Sequence, residues 1–154
     1  TLSLVDRSRK LVLGTRFNEQ AGVFSPDGRA LAFVSDETGR SEVYVQPFPG
    51  PGARRQVSVG GGWAPVWGRT AGEIFYQSGT SLMGVSLGAA GIEPATPREV
   101  LRGVLMFDPT TLGDMVAPWG LGPGGRGFVM PQQLDQKQAT TLTVDLNWAP
   151  GPAS

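Results

Sequence analysis

The residue types that most often carry hydrolytic and redox chemistry are missing from this chain. It has no histidine and no cysteine. A Ser-His-Asp or Cys-His arrangement, a thiolate nucleophile, a disulfide and Cys-ligated zinc are therefore excluded within it. A proton-transfer site would have to use a carboxylate such as Glu19 or Asp114, or one of two lysines, Lys10 and Lys137. Ser25, Ser35 and Ser78 fall in turn or strand-end positions, and no Gly-x-Ser-x-Gly elbow raises any serine as a nucleophile. The glycine-rich stretch 120–127 lacks the Gly-Lys-Ser/Thr ending and the following helix of a phosphate loop. Asp36-Glu37 lacks the regular ligand spacing of a calcium loop. No cofactor and no metal are expected, and no catalytic residue is assigned.

Charge narrows the partners. Thirteen Lys+Arg balance thirteen Asp+Glu, so no net field draws the chain to nucleic acid or to an anionic membrane. The pairs Arg54-Arg55 and Asp36-Glu37 read as solvated turn charges. No apolar run approaches the roughly 18 residues of a membrane-spanning helix.

Any site must therefore be positioned by the elements the pattern specifies. Apolar residues make up 40% of the 154, beside 23 Gly and 13 Pro, and they come in short alternating runs. That mixture suits short strands joined by tight turns. The best helical candidate, 96–102, is short and follows two prolines. Strands are expected at 2–5, 10–13, 22–24, 30–35, 41–46 and 55–59. Between the third and fourth of these lies Ser25-Pro26-Asp27-Gly28. Pro26 presets φ for a type I turn, Asp27 bonds nearby backbone, and Gly28 takes the positive φ from which the next strand restarts.

The pattern recurs. Residues 24–35 lie over 67–78 without a gap, an offset of 43 from Phe24 to Trp67. An aromatic, a turn, an apolar strand and a closing Ser return in step. A third copy begins at Leu121, a further 54 residues on, with Pro123-Gly124-Gly125-Arg126 over Pro26-Asp27-Gly28-Arg29. A repeat of about 40–50 residues with four strands each is the signature of β-propeller blades. Phe24, Leu31, Phe33, Trp67, Ile74 and Tyr76 are the expected inter-blade core.

Two segments carry a family resemblance. Phe24-Ser25-Pro26-Asp27-Gly28-Arg29, followed by Tyr44-Val45-Gln46-Pro47-Phe48-Pro49-Gly50, resembles the PD40-type (WD-type) repeat of TolB-like propellers. With Gly60-Gly61-Gly62 and the terminal Leu146-Asn147-Trp148, the chain resembles the C-terminal propeller of bacterial receptor-like Ser/Thr protein kinases. The resemblance implies a bacterial, kinase-associated sensor domain with an extracytoplasmic place. Kinase activity does not carry over, because the chain has neither the nucleotide loop with its Lys nor the His-Arg-Asp catalytic loop. Departures occur at Gly68-Arg69-Thr70-Ala71 and at Gly122-Pro123-Gly124-Gly125, where the family has Ser-Pro-Asp-Gly.

The expected fold is thus all-β, a partial β-propeller of about three to three and a half four-stranded antiparallel blades. A partial blade at 1–15 precedes blades at 16–59, 60–102 and 103–148, with a flexible tail at 149–154. Three blades are too few to close a ring, since propellers run from about four upward. Either the missing blades belong to a longer chain, or a second copy completes about six blades in a head-to-tail homodimer. The expected function is non-catalytic ligand sensing or protein–protein interaction. Glu19, Gln20, Trp63 and Asp114, in segments leading to innermost strands, are the candidate contacts for an unknown protein or small ligand. The alternatives are a small esterase- or peptidase-like hydrolase using a carboxylate or Lys, and an assembly scaffold of the TolB kind.

Overall fold

The computed structural model describes residues 7–9, 11–50, 52–88, 92–103, 119–125 and 127–129. These residues form an all-β, partial-propeller architecture. Strands β1 (Glu19–Phe24), β2 (Ala30–Ser35), β3 (Glu42–Pro47) and β4 (Arg55–Gln56) make one four-stranded antiparallel blade in that order. Strands β5 (Trp63–Trp67), β6 (Glu73–Ser78), β7 (Ser81–Ser86) and β8 (Arg98–Arg102) make a second. A two-stranded antiparallel pair follows, β9 (Gly120–Leu121) with β10 (Phe128–Val129). The expected strand at 2–5, most of the third blade, Asp114 and the tail at 149–154 lie outside the described residues.

One connection geometry recurs at the three copies of the sequence repeat. The N–H of Ser25 donates to the carbonyl of Ala30 at 2.9 Å, Gly68 to Glu73 at 2.8 Å, and Gly122 to Gly127 at 2.9 Å. The donors are spaced by 43 and then 54 residues, the offsets of the sequence repeat. In the first copy Gly28 sits at φ 71° and its N–H returns to Ser25 O at 2.9 Å. Asp27 Oδ1 accepts from Ser25 Oγ at 2.6 Å and from the Arg29 N–H at 3.1 Å. The turn chemistry expected of Pro26-Asp27-Gly28 is therefore present.

The two blades stack face to face. Alternation on β2 and β3 sends Ala30, Ala32, Val34, Val43 and Val45 to one side, where they meet Trp67, Ile74, Tyr76, Val85 and Leu87 in one buried cluster. Each larger apolar side chain in it contributes about 1.5–3 kcal/mol. The exposed Arg55–Glu93 pair that also joins the blades, at 3.2 Å, contributes about 1 kcal/mol at most. Packing therefore sets the stacking. On the far side of the second blade, Phe75 and Leu82 are covered by Trp119 and Phe128, with Phe75 edge-on to Phe128 at 4.9 Å. On the outer face of the first blade, Val12 and Leu13 lie over Leu31, Phe33 and Tyr44.

Three expectations are corrected. Leu11, Val12 and Leu13 form no strand, and Val12 and Leu13 instead serve as packing side chains against the first blade. The strand expected at 55–59 ends at Gln56, because the N–H groups of Val57 and Ser58 both turn to Val43 O, at 2.7 and 3.3 Å. Phe24, expected in the core, is 45% exposed and packs edge-on against Phe48 at 4.7 Å.

Candidate functional site

Glu19 and Gln20 are the first residues of β1, and Trp63 is the first of β5. All three were expected in the segments that lead to those strands, and the structure places them on the strands themselves. The cause is a repeated β-bulge. Between Gln20 and Val23, and again between Trp63 and Val66, the pairing register shifts. The first bulged residue in each, Ala21 or Ala64, takes a left-handed φ of 50° or 49°. A bulge re-aims the side chain beside it, so Gln20 and Trp63 stand at matching points of neighbouring blades. The strands that carry them touch.

Their surroundings differ. Gln20 pairs across to Val34 and so shares the face turned toward the second blade, where its buried Oε1 has no hydrogen-bond partner. Trp63 is half-buried and reaches both the inter-blade cluster and the cluster on the far side of the second blade. An amide and an indole at equivalent positions of adjacent blades offer hydrogen bonding and an aromatic face.

Glu19 lies on the opposite side, across from Ser35. Its carboxylate accepts from Thr15 Oγ1 at 2.6 Å and is 3.7 Å from Arg54 Nη1. The same guanidinium nitrogen is 3.0 Å from Glu37 Oε2. Asp36 Oδ1 accepts the Asn18 N–H at 2.9 Å. Asp36, Glu37 and Arg54 are partly buried and partnered, unlike the solvated turn charges expected, whereas Arg55 stays exposed beside Glu93. Beneath this network, Ser35 Oγ is buried without a hydrogen-bond partner. Burial raises the Tyr44 pKa above the usual phenol value; a hydrogen bond with the Thr38 side chain works against that rise, and Glu37 adds to it by its charge and its own hydrogen bond with the phenol.

Sequence reasoning missed Glu42. It is fully buried, and its carboxylate receives the Ser58 hydroxyl, the Gly60 N–H at 3.1 Å, the Gly61 N–H at 2.9 Å and Arg40 Nε at 2.9 Å. Gly60 and Gly61 hold φ of 89° and 110°, which turns both N–H groups onto it. A signal was available, since an acid opening an apolar strand and a glycine run near 60 fit a carboxylate bound by backbone. Ser25, expected at a turn position, is held there, accepting the Ala30 N–H at 2.9 Å and donating to Asp27. That donated bond, with the Arg29 N–H, holds the Asp27 carboxyl below the ordinary aspartate range.

A cleft of about 190 Å³ lies between Leu11-Val12 and the loop Pro47-Phe48-Pro49. It is below the roughly 300–1,000 Å³ of pockets that enclose a small molecule. Among the described residues no three acidic side chains gather closely enough to hold a metal ion, and no helix is long and apolar enough to cross a membrane. No protein-family profile matches the sequence, and no curated protein does.

Proposed function

We propose that this chain is a non-catalytic binding module of the TolB-like propeller type, working as the sensor propellers of bacterial receptor-like Ser/Thr kinases do. The supporting observation is the bulge repeated in β1 and β5, which sets Gln20 and Trp63 at equivalent points of two stacked blades. A backbone distortion kept in both copies aims side chains rather than extending the sheet. Glu19 stands one residue before Gln20, on the opposite face of the strand.

The ring in this reading is completed by further blades, from a longer chain or from a second copy docked head to tail. Light scattering separates the two: a well-folded monomer rules out the homodimer.

Photo-crosslinking tests the binding surface. A benzoylphenylalanine at position 20 or 63 is expected to trap a partner, while the same probe at Glu99 on the outer strand is not. Equal trapping from all three positions would count against the surface. Turnover of generic ester or peptide substrates, abolished by one Glu, Asp or Ser substitution, would replace the whole reading with a hydrolase.

A further inference from the structure

The two faces of the first blade are covered in different ways. On the side of the second blade, Ala30, Ala32 and Val34 meet Trp67, Ile74 and Tyr76 in one buried cluster. On the outer side, Leu31 and Phe33 stand 43 residues before Ile74 and Tyr76 and so hold the same positions of the repeat. They are packed not by a blade but by Val12 and Leu13. The surface that receives a blade in the second copy of the repeat is thus held, in the first, by a short length of chain. Phe24, the counterpart of Trp67, is left 45% exposed.

That length of chain is lightly attached. Val12 and Leu13 are half-buried, and Leu11 beside them is 81% exposed. Hydrogen bonding to the blade starts only beyond them, where Thr15 Oγ1 donates to Glu19 at 2.6 Å and the Asn18 N–H to Asp36 at 2.9 Å. Among the described residues, 11–14 make no hydrogen bond to the blade and hold it by packing alone. Segments with few buried apolar contacts and no backbone pairing are the ones that open at least cost.

The other end of the stack supplies a matching surface. Phe128 packs back on Phe75 and Leu82, so alternation along β10 turns Val129 away from the second blade, where it is 37% exposed. Val129 is the repeat counterpart of Phe75, 54 residues earlier, and of Ala32, a further 43 earlier. Ala32 is one of the small side chains that face large ones across the described interface. Small opposite large is the arrangement that lets two faces interdigitate. An exposed Val129 at one end and the Leu31–Phe33 face at the other repeat it.

We propose that Val12 and Leu13 form a displaceable cap on the first blade, and that the face beneath takes the Val129 side of a second copy's β9–β10 pair. The cap shields an apolar face in the free chain and restrains head-to-tail association, and docking of the second copy lifts it. The proposal deepens the propeller reading above by naming the partner and its control. It rests on the stacked blades of that reading, not on the contacts assigned to Gln20 and Trp63.

The test is sedimentation equilibrium of the full chain over a wide concentration range, beside the cap-release double variant Val12→Ser with Leu13→Ser. The parent is expected to dimerise weakly and the double variant roughly tenfold more tightly, since a face occupied by its own chain lowers apparent affinity by the fraction of time it is open. Adding Val129→Glu is expected to return the double variant to monomer. Dimerisation of the double variant no tighter than the parent's overturns the cap, and a dimer indifferent to Val129→Glu overturns the assigned partner surface. A second measurement does not need the double variant to fold. The chain has no cysteine, so Leu13→Cys carries a single reporter thiol. Its alkylation is expected to be slow in dilute protein and to accelerate as the dimer forms, and a constant rate across that range overturns displacement. Crosslinking from positions 20 and 63 reports on the binding surface instead. Trapping there, with parent and double variant monomeric at every concentration, overturns the cap and keeps the binding reading. Dimerisation as expected without trapping keeps the cap and counts against that reading.

Discussion

Ala21 and Ala64, 43 residues apart, share one left-handed backbone conformation, with φ of 50° and 49°. For a residue with a Cβ that conformation costs roughly 1–2 kcal/mol, and it recurs because each alanine is the extra residue of a bulge. Ala21→Gly removes the cost but adds about 0.5–1 kcal/mol of unfolded-state entropy. The expected result in chemical denaturation is a variant between neutral and about 1 kcal/mol more stable, the opposite of glycine in an ordinary strand. Ala21→Val is expected to lose about 1–2 kcal/mol, since a β-branched side chain tolerates positive φ least.

Glu42 predicts a ranking. Glu42→Ala strands the Ser58 hydroxyl and the Gly60 and Gly61 N–H groups around an empty site. Its expected cost is about 3–5 kcal/mol, that of breaking a buried, fully bonded charge site. Ser58→Ala removes one of the four partners and is expected to cost about 1–3 kcal/mol. Arg40 is 63% exposed on its side chain, so Arg40→Ala is expected to cost less than about 1 kcal/mol. Urea titrations of the three variants give the order, and an Arg40 effect equal to that of Glu42 contradicts it.

The repeat was legible because its signals are local. An aromatic, a turn rich in Pro, Asp and Gly, and an apolar strand announce themselves within a dozen residues, and the three matching turn bonds sit at the spacings the sequence repeat gives. What escaped depends on residues distant in sequence. The role of Glu42 depends on Ser58, Gly60 and Gly61, which close on it from the other end of the blade. Arg54 reads as a solvated turn charge until Glu19, 35 positions earlier, comes within 3.7 Å. The bulges escaped too, because Gln20-Ala21-Gly22 and Trp63-Ala64-Pro65 share almost no residue types. Their likeness lies in backbone geometry alone.

Tyr76 predicts an alkaline limit. Burial, aided by the charge of Glu42, pushes its pKa up to about 12. A phenol raised above its unfolded value of roughly 10 is held neutral by the fold. The stability this represents is complete below that value and is lost as pH rises through the folded one. Tyrosinate absorbance in the native protein is therefore expected to stay low past the unfolded pKa and to rise together with unfolding near pH 12. Tyr76→Phe is expected to unfold at higher pH than the parent. An ordinary tyrosine titration with the fold intact contradicts the buried assignment.

Phe24 and Trp67 occupy the same position of the repeat but not the same environment. Trp67 is 6% exposed and its Nε1 donates to Val23 O at 3.0 Å across the blade interface, whereas Phe24 is 45% exposed. Trp67→Phe is expected to cost about 1 kcal/mol through the part-buried Val23 carbonyl it leaves without its donor. Trp67→Ala is expected to cost about 3–5 kcal/mol, and Phe24→Ala clearly less, in thermal or urea unfolding of the isolated chain. The comparison also reports on assembly. A partner blade stacked beside the first blade would cover Phe24 as the first blade covers Trp67, and the cost of Phe24→Ala would then climb toward that of Trp67→Ala with rising protein concentration. A Phe24 cost that stays small at every concentration means the equivalent interface is unfilled in the isolated chain.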